Sequence, residues 1–456
     1  MAPLKILICG GGCAGPSLAF WLARAGHRVT IVERFPALRA TGAQIDIRNQ
    51  GIEVVKRMGL IDVVRSKVVD EAGLSMVDTH NTPKATILAN KTGKGTQTLT
   101  SEFEIMRGDL VRILYDATKD NVDYIFGVTV ERFEQYEDHV EVHFSDGRTD
   151  TFDLLVGADG QGSRIRKAIQ PADAPEPYRR LGVYSFYWFV PRTEMDTNLA
   201  RVYHCPGGRA VMSRSHSPTE AQAYFAFMDE SEETRSIPRG SVEQQKEFVT
   251  QKFRGAGWQT DRFLEGLKTT NNFYCQEIVQ VKIDAWYKNR VVLLGDAGYC
   301  PSPVTGMGTS ASFVGAYVLA GEINRNSEDL PQAFANYEKT LRPFIDEIQV
   351  FNKSFLRYMY PETQWGVSVL HFIMGTICFL RIPELVARFS SEERGGWKLP
   401  DRCMFPDTQW GVSIMHFIMG TICFLRIPEL VARFSSEERG GWKLPDFSSS
   451  VQDQQV

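Results

Sequence analysis

Apolar residues open the chain in two patterns. Leu4 to Cys9 is a short run broken only by Lys5, and Ala14 to Ala25 is apolar at helical spacing. The first pattern suits a strand buried on both faces, the second an amphipathic helix. Gly26 ends that helix as glycines do, and Val29 to Val32 makes the next strand. A strand, a helix and a strand in this order imply a parallel sheet and an α/β fold. Helical patterns recur at Ile52 to Met58 and Leu110 to Ala117. Val140 to Phe144 and Thr149 to Phe152 flank Ser145-Asp146-Gly147-Arg148, a hairpin turn, and Leu154 to Val156 reads as another buried strand. From Gly182 to Met228 the pattern changes. Tyr184 to Val190, Arg201 to Tyr203, Ala210 to Ser213 and Ala221 to Phe227 are short and β-prone, which predicts an antiparallel sheet inserted into the first domain. A second parallel-type strand, Val291 to Leu294, follows, and helical patterns run to the end.

The C-terminal region repeats itself. Met359 to Asp401 recurs almost verbatim as Met404 to Asp446. Two copies are too few for a solenoid, so a recent tandem duplication or a doubled exon is the simpler reading. Each copy carries an apolar run, Trp365 to Leu380 and Trp410 to Leu425, shorter than the ~20 residues of a spanning helix. Packed helices are expected there, with a disordered polar tail over 447–456.

Composition narrows the function. A chain of 456 residues suits two or three domains, and 43% apolar residues supply a sizeable core. A net charge of -4 without basic runs argues against nucleic acid and against a polybasic membrane patch. Eight cysteines in a chain this long make no disulfide framework, and neither they nor the histidines show metal-site spacing. A cytoplasmic protein is expected, a monomer or homodimer, with peripheral membrane association through the C-terminal helices left open.

Chemistry enters with Gly10-Gly11-Gly12-Cys13-Ala14-Gly15, a G-x-G-x-x-G sequence that follows a strand and opens a helix. Gly10 permits the tight turn, Gly12 lets the backbone approach a pyrophosphate, and Gly15 lets helix and strand pack closely. Glu33 ends the second strand at the spacing of the acid that binds ribose hydroxyls. This predicts dinucleotide binding but does not separate FAD from NAD.

Two later segments separate them. Asp153-Leu154-Leu155-Val156-Gly157-Ala158-Asp159-Gly160, with Ser163 and Arg166, resembles the Asp-Gly motif of class A flavin monooxygenases. Arg290-Val291-Val292-Leu293-Leu294-Gly295-Asp296-Ala297, with Pro301, Pro303, Gly306 and Gly308, resembles their Gly-Asp motif. The order of the three motifs is that of the para-hydroxybenzoate hydroxylase type. Gly42-Ala43-Gln44-Ile45-Asp46-Ile47 is similar to a segment of the tetracycline-inactivating branch. The resemblance implies a Rossmann-like FAD-binding domain of the glutathione-reductase type, with an inserted β-sheet substrate domain and a helical C-terminus. It places the FAD-binding domain at 1–75, 101–172 and 285–357, the sheet domain at 76–100 and 173–284, and the C-terminal helices at 358–446.

The same resemblance marks Arg107 as a cofactor contact and gives Asp159 a role toward FAD and NAD(P)H, with simple helix capping as the alternative. Ala43 and Asp46 fall in the branch segment. Asp296 can accept hydrogen bonds from ribityl hydroxyls, and the backbone of Gly306, Gly308 and Thr309 can face the flavin's pyrimidine end. Arg34 faces either the adenosine end or solvent. Three positions depart from the family: Gly298, Tyr299 where histidine is common, and Gly315 where aspartate is common.

The implied reaction reduces FAD with NAD(P)H and passes oxygen from O2, through a flavin C4a-hydroperoxide, to a small aromatic or polyketide-like compound, in secondary metabolism or xenobiotic breakdown. No catalytic side chain is assigned, because the flavin carries the chemistry. Baeyer–Villiger oxygenation, epoxidation, a dehydrogenase, and a flavin-bound protein without catalysis remain alternatives. Tyr184, Phe186, Trp188 and Tyr224 are the substrate-pocket candidates, although strand alternation puts only half of such residues on one face. His204 and Arg214 are further candidates for orienting a phenol.

Overall fold

The computed structural model describes residues 3–39, 42–89, 102–380 and 442–447. A six-stranded sheet forms its body, in the order Tyr287–Lys288, Val291–Leu293, Leu154–Gly157, Lys5–Cys9, Arg28–Glu33, Asp123–Phe126. All pairs are parallel except the first. Cys9 lies in register with both Gly157 and Val32, and Gly157 with Leu293. The three motif strands, far apart in sequence, are therefore neighbours whose carboxyl ends align. Ligands of open parallel sheets bind in the crevice outside those ends.

Alternation along the central strand divides the core. Ile6 and Ile8 join a cluster with Leu18, Ile31, Val314 and Val318, under the helices Ala14–Arg24 and Gly308–Arg325. Leu7 and Cys9 point the other way, onto Val140, Val142 and Phe144 of a three-stranded antiparallel sheet. Both faces are covered, which is why these strands read as near-continuous apolar runs.

The inserted sheet has seven strands, in the order Phe273–Val281, Tyr178–Pro191, Glu220–Met228, Arg209–Ser215, Leu199–Cys205, Gly73–Val77, Pro83–Leu88. It begins at Gly73, three residues earlier than the boundary expected from the sequence. Helices Val242–Phe253 and Thr260–Thr269, absent from the sequence reading, cover one face. The first starts at a capping box: Ser241 Oγ accepts from the Gln244 amide while Gln244 Oε1 accepts from the Ser241 amide.

Of the repeated C-terminal region, the helix Gln364–Phe379 from the first copy is described and packs on Pro83–Leu88 and Leu199–Cys205. Most of the second copy lies outside the described residues, but its last ones, from Trp442, are held on the body. Phe447, placed in a disordered tail by the sequence reading, is 3% exposed and packs against Tyr317, while 448–456 lie outside the described residues. Among the described residues, no helix is long and apolar enough to cross a membrane.

Candidate active site

The glycine loop is shaped by close approach. A Cβ on Gly10 would stand 2.3 Å from Ala158 O, and one on Gly15 would stand 2.1 Å from Gly10 O. The first motif thus rests directly on the Asp-Gly motif. At Gly12 an added Cβ would meet only Arg107 Nη2, at 3.4 Å, so the backbone is open on that side. Glu33 ends its strand by accepting from Gly11 N at 2.8 Å and Phe35 N at 3.1 Å. Helix Ala14–Arg24 has no side-chain cap and no acid in its first turn, leaving its N–H groups for an anion. Helix Gly308–Arg325 begins in the same way, with Thr309 half-exposed in its first turn. Two uncapped helix starts and an open glycine loop at one crevice fit the phosphates and flavin ring of FAD.

Arg107 starts the helix Arg107–Asp116 and donates its N–H to Ala43 O. Asp296 lies deep in the fold yet keeps one side accessible. Burial pushes its carboxyl up, opposed by a hydrogen bond from Cys300 and by the Arg107 charge. Cys13, Tyr224 and Tyr274 are likewise deep yet accessible, as side chains lining an internal cleft are. Asp46 accepts from Arg48 at 2.9 Å through one carboxylate oxygen, while its other oxygen is buried and unpaired. Gly306, with φ +65°, turns over this pair: a Cβ there would stand 3.4 Å from Arg48 Nε. Asp159 accepts from Arg164 N at 2.7 Å, which is the capping alternative, and its second oxygen is buried without a partner. Arg34 is exposed over the Phe35 ring.

The sheet's two faces divide the aromatic candidates. Tyr184, Phe186 and Trp188 are at most 1% exposed and sit in the core with Phe225, Phe253 and Phe263, against the covering helices. They do not line the cleft, which corrects the expectation for them: the alternation that puts Tyr187 on the open face puts these three behind it. Tyr187 donates to Gly42 O at 2.9 Å, and the Tyr224 hydroxyl lies 3.4 Å from Gln44 N, so these two meet the body. Ser185, Met212, Ala226 and Gln276 share that face and are only half-buried.

Several residues at the cleft were not singled out from the sequence. Arg39 stacks over Phe35 and Tyr274, and its neighbours include Arg107. Arg48 and Gln44 flank Asp46, and that adjacency was the only signal available. Arg214, a candidate for orienting a phenol, instead bonds Glu71 at 2.7 Å and Glu104 at 2.6 Å. Burial pushes both carboxyls up, against the Arg214 charge.

An open glycine loop and two uncapped helix starts at the strand ends, beside the open side of an inserted sheet, fit a flavin-dependent monooxygenase of class A. The chain belongs to the FAD-binding domain family, whose model matches residues 3–338. It is 38% identical over 423 residues to the FAD-dependent monooxygenase asL4 of Sarocladium schorii, covering 88% of this chain and 98% of the relative. It is 36% identical over 397 residues to the monooxygenase CTB7 of Cercospora beticola, covering 84% and 94%. Among solved structures it is similar to the tetracycline destructase Tet(51), with TM-score 0.70, 31% identity, and coverage of 83% of this chain and 96% of that one. The expected fold, cofactor and enzyme class are borne out: the protein is an FAD-dependent monooxygenase.

Proposed function

We propose that the enzyme hydroxylates a small aromatic or polyketide-like compound held between the flavin and the open face of the seven-stranded sheet. The observation that carries this reading is the contrast between that sheet's faces. One is sealed by helices; the other turns half-buried Ser185, Met212, Ala226 and Tyr224 toward the crevice. Similarity to a tetracycline destructase supports a fused-ring, oxygenated substrate.

In this reading the loop Gly10, Gly12, Ala14 and Gly15 and its helix hold the pyrophosphate. Glu33, already bonded to Gly11 N, presents its carboxylate to ribose hydroxyls. Asp296 accepts from the ribityl chain, and Arg107 lies across the glycine loop from it. Gly306, Gly308 and Thr309 offer backbone N–H groups and a positive helix end to the flavin ring, where negative charge is favoured. Asp46 and Ala43 shape the loop that Arg107 locks, and Asp159 keeps one buried oxygen unpaired beside the glycine loop's strand ends. Arg34 stays toward solvent. When bound, FAD takes electrons from NAD(P)H and activates O2. The sheet and the body exclude water so that oxygen goes to substrate.

The test is to purify the full chain, record its visible spectrum, and follow NAD(P)H and O2 use with phenolic and polyketide-like compounds. A yellow protein whose coupled consumption rises with one compound class, giving a product heavier by one oxygen atom, is expected. Ring insertion or epoxidation in the product would replace hydroxylation. NAD(P)H oxidation independent of O2 would overturn the oxygenase chemistry.

A further inference from the structure

The open face of the sheet has relief. Followed through the strand register, one row across it is Gln276, Ser185, Ala226, Ala210 and His204. On one side runs the taller row Tyr274, Tyr187, Tyr224 and Met212. On the other run Ile278, Val183 and Met228, packed with Leu356 and Tyr360. Same-face neighbours in a pleated sheet stand side by side, so Ser185 and Ala226, small and half-buried between the two tall rows, leave a trough whose line continues over buried Ala210 to His204.

The end of that row points to a ligand. His204 is 3% exposed, and its Nδ1 has no hydrogen-bond partner. Its ring lies edge-on to His371 of the helix Gln364–Phe379, with centroids 6.1 Å apart, and His371 Nε2 is also buried and unpaired. Buried polar atoms are nearly always paired, and a ligand that supplies the partner removes the penalty. Both rings are held neutral. Burial pushes His204 down to about 4; burial and Lys84 lower His371, opposed by Asp78. A neutral imidazole pair presents donors and acceptors without charge, which matches a hydroxyl or carbonyl and disfavours a carboxylate.

We infer that His204 and His371 close the substrate trough and recognise a phenolic hydroxyl or ring carbonyl of an uncharged, flat substrate, with His204 Nδ1 as the principal contact. This rests on the monooxygenase reading above and assigns its substrate class. The test uses the full-length FAD-loaded enzyme. Binding of 1-naphthol, 1-methoxynaphthalene and 1-naphthoate is followed through the flavin's visible spectrum, in wild type and in H204L, H204Q and H371L. Wild type is expected to bind 1-naphthol about ten-fold more tightly than either analogue, the size of one satisfied hydrogen bond. H204L is expected to lose that preference and H204Q to keep part of it. Should H204L fail to fold, H371L carries the same test from the half-buried helix side, with a loss of about three-fold expected. Unchanged preference in the variants, or no binding of 1-naphthol to wild type, would overturn the inference. A protein without FAD, or without O2-dependent NAD(P)H oxidation, would instead overturn the reading beneath it.

Discussion

Tyr299 and Gly315, two of the positions that depart from the pattern the resemblance implies, meet in the core. A Cβ on Gly315 would lie 2.0 Å from the Tyr299 hydroxyl, so the glycine makes room for the tyrosine. The Tyr299 hydroxyl in turn lies 2.9 Å from that of Tyr337, which sits 3.2 Å from Leu293 O, on the strand that leads to Asp296. The two positions are sterically coupled, because a side chain at 315 and the Tyr299 hydroxyl compete for the same space. Gly315→Asp alone would overfill a closed space and bury a carboxylate. It is expected to cost about 3 kcal/mol or more, measured as a lower unfolding midpoint. Adding Tyr299→His should recover part of the loss. A double variant no more stable than G315D would show the positions to be independent.

Among elements, the strand Arg209–Ser215 does more than fill the sheet. Its Arg214 bonds Glu71, just ahead of the strand Gly73–Val77, and Glu104, at the start of the short strand Glu104–Met106 that leads into the Arg107 helix. Gln44 Nε2 bonds Glu104 as well, so one buried cluster ties the sheet to the two paired short strands, Gln44–Asp46 and Glu104–Met106, that carry Asp46 and lead into Arg107. Removing the cation leaves two buried carboxylates facing each other. Arg214→Met is therefore expected to destabilise by about 3–5 kcal/mol and to weaken FAD retention, read from denaturant unfolding and from flavin released on dilution. Unchanged stability would mean that the two acids are neutral without it. Strand alternation also explains the corrected aromatic assignment. Tyr184, Phe186 and Trp188 are identical in pattern to pocket residues, and only the helices Val242–Phe253 and Thr260–Thr269 decide which face is sealed.

For the molecule as a whole, the repeat resolves into two docked parts from different copies. The helix Gln364–Phe379 comes from the first, and the anchor Trp442–Phe447 from the second. Trp442 Nε1 donates to Thr340 O, Gln50 Nε2 and Arg57 Nη1 donate to Trp442 O and Pro445 O, and Phe447 presses on Gly321, where a Cβ would meet its ring at 2.3 Å. The first copy repeats Trp397 to Asp401 but has Arg402 where the second has Phe447. Deleting 381–425 removes one repeat unit seamlessly and keeps both docked parts. That chain should bind FAD and unfold like wild type. A chain ending at Asp401 has the same helix and pentapeptide without the phenylalanine. It should be less stable by about 2–3 kcal/mol, the worth of one buried Phe. Equal stability of the two chains would remove Phe447 as the anchor.

The sequence by itself determined the α/β body and dinucleotide binding, because each depends on local signals: glycines where backbones touch, apolar runs where strands are covered twice, and an acid at a strand end; FAD rather than NAD followed from the resemblance of the two later motifs to a known family. The inserted sheet was legible for the same reason, as runs of β-prone residues between turns. Tertiary structure alone decided what faces what. Arg39 reaches Tyr274, Arg214 meets two acids, Tyr299 fills the space above Gly315, and His204 meets His371 across distances in sequence that no spacing encodes. Strand alternation has period two and gives two equivalent faces. Which face becomes the site is set by the helices that pack on the other, and that choice is a property of the assembled core.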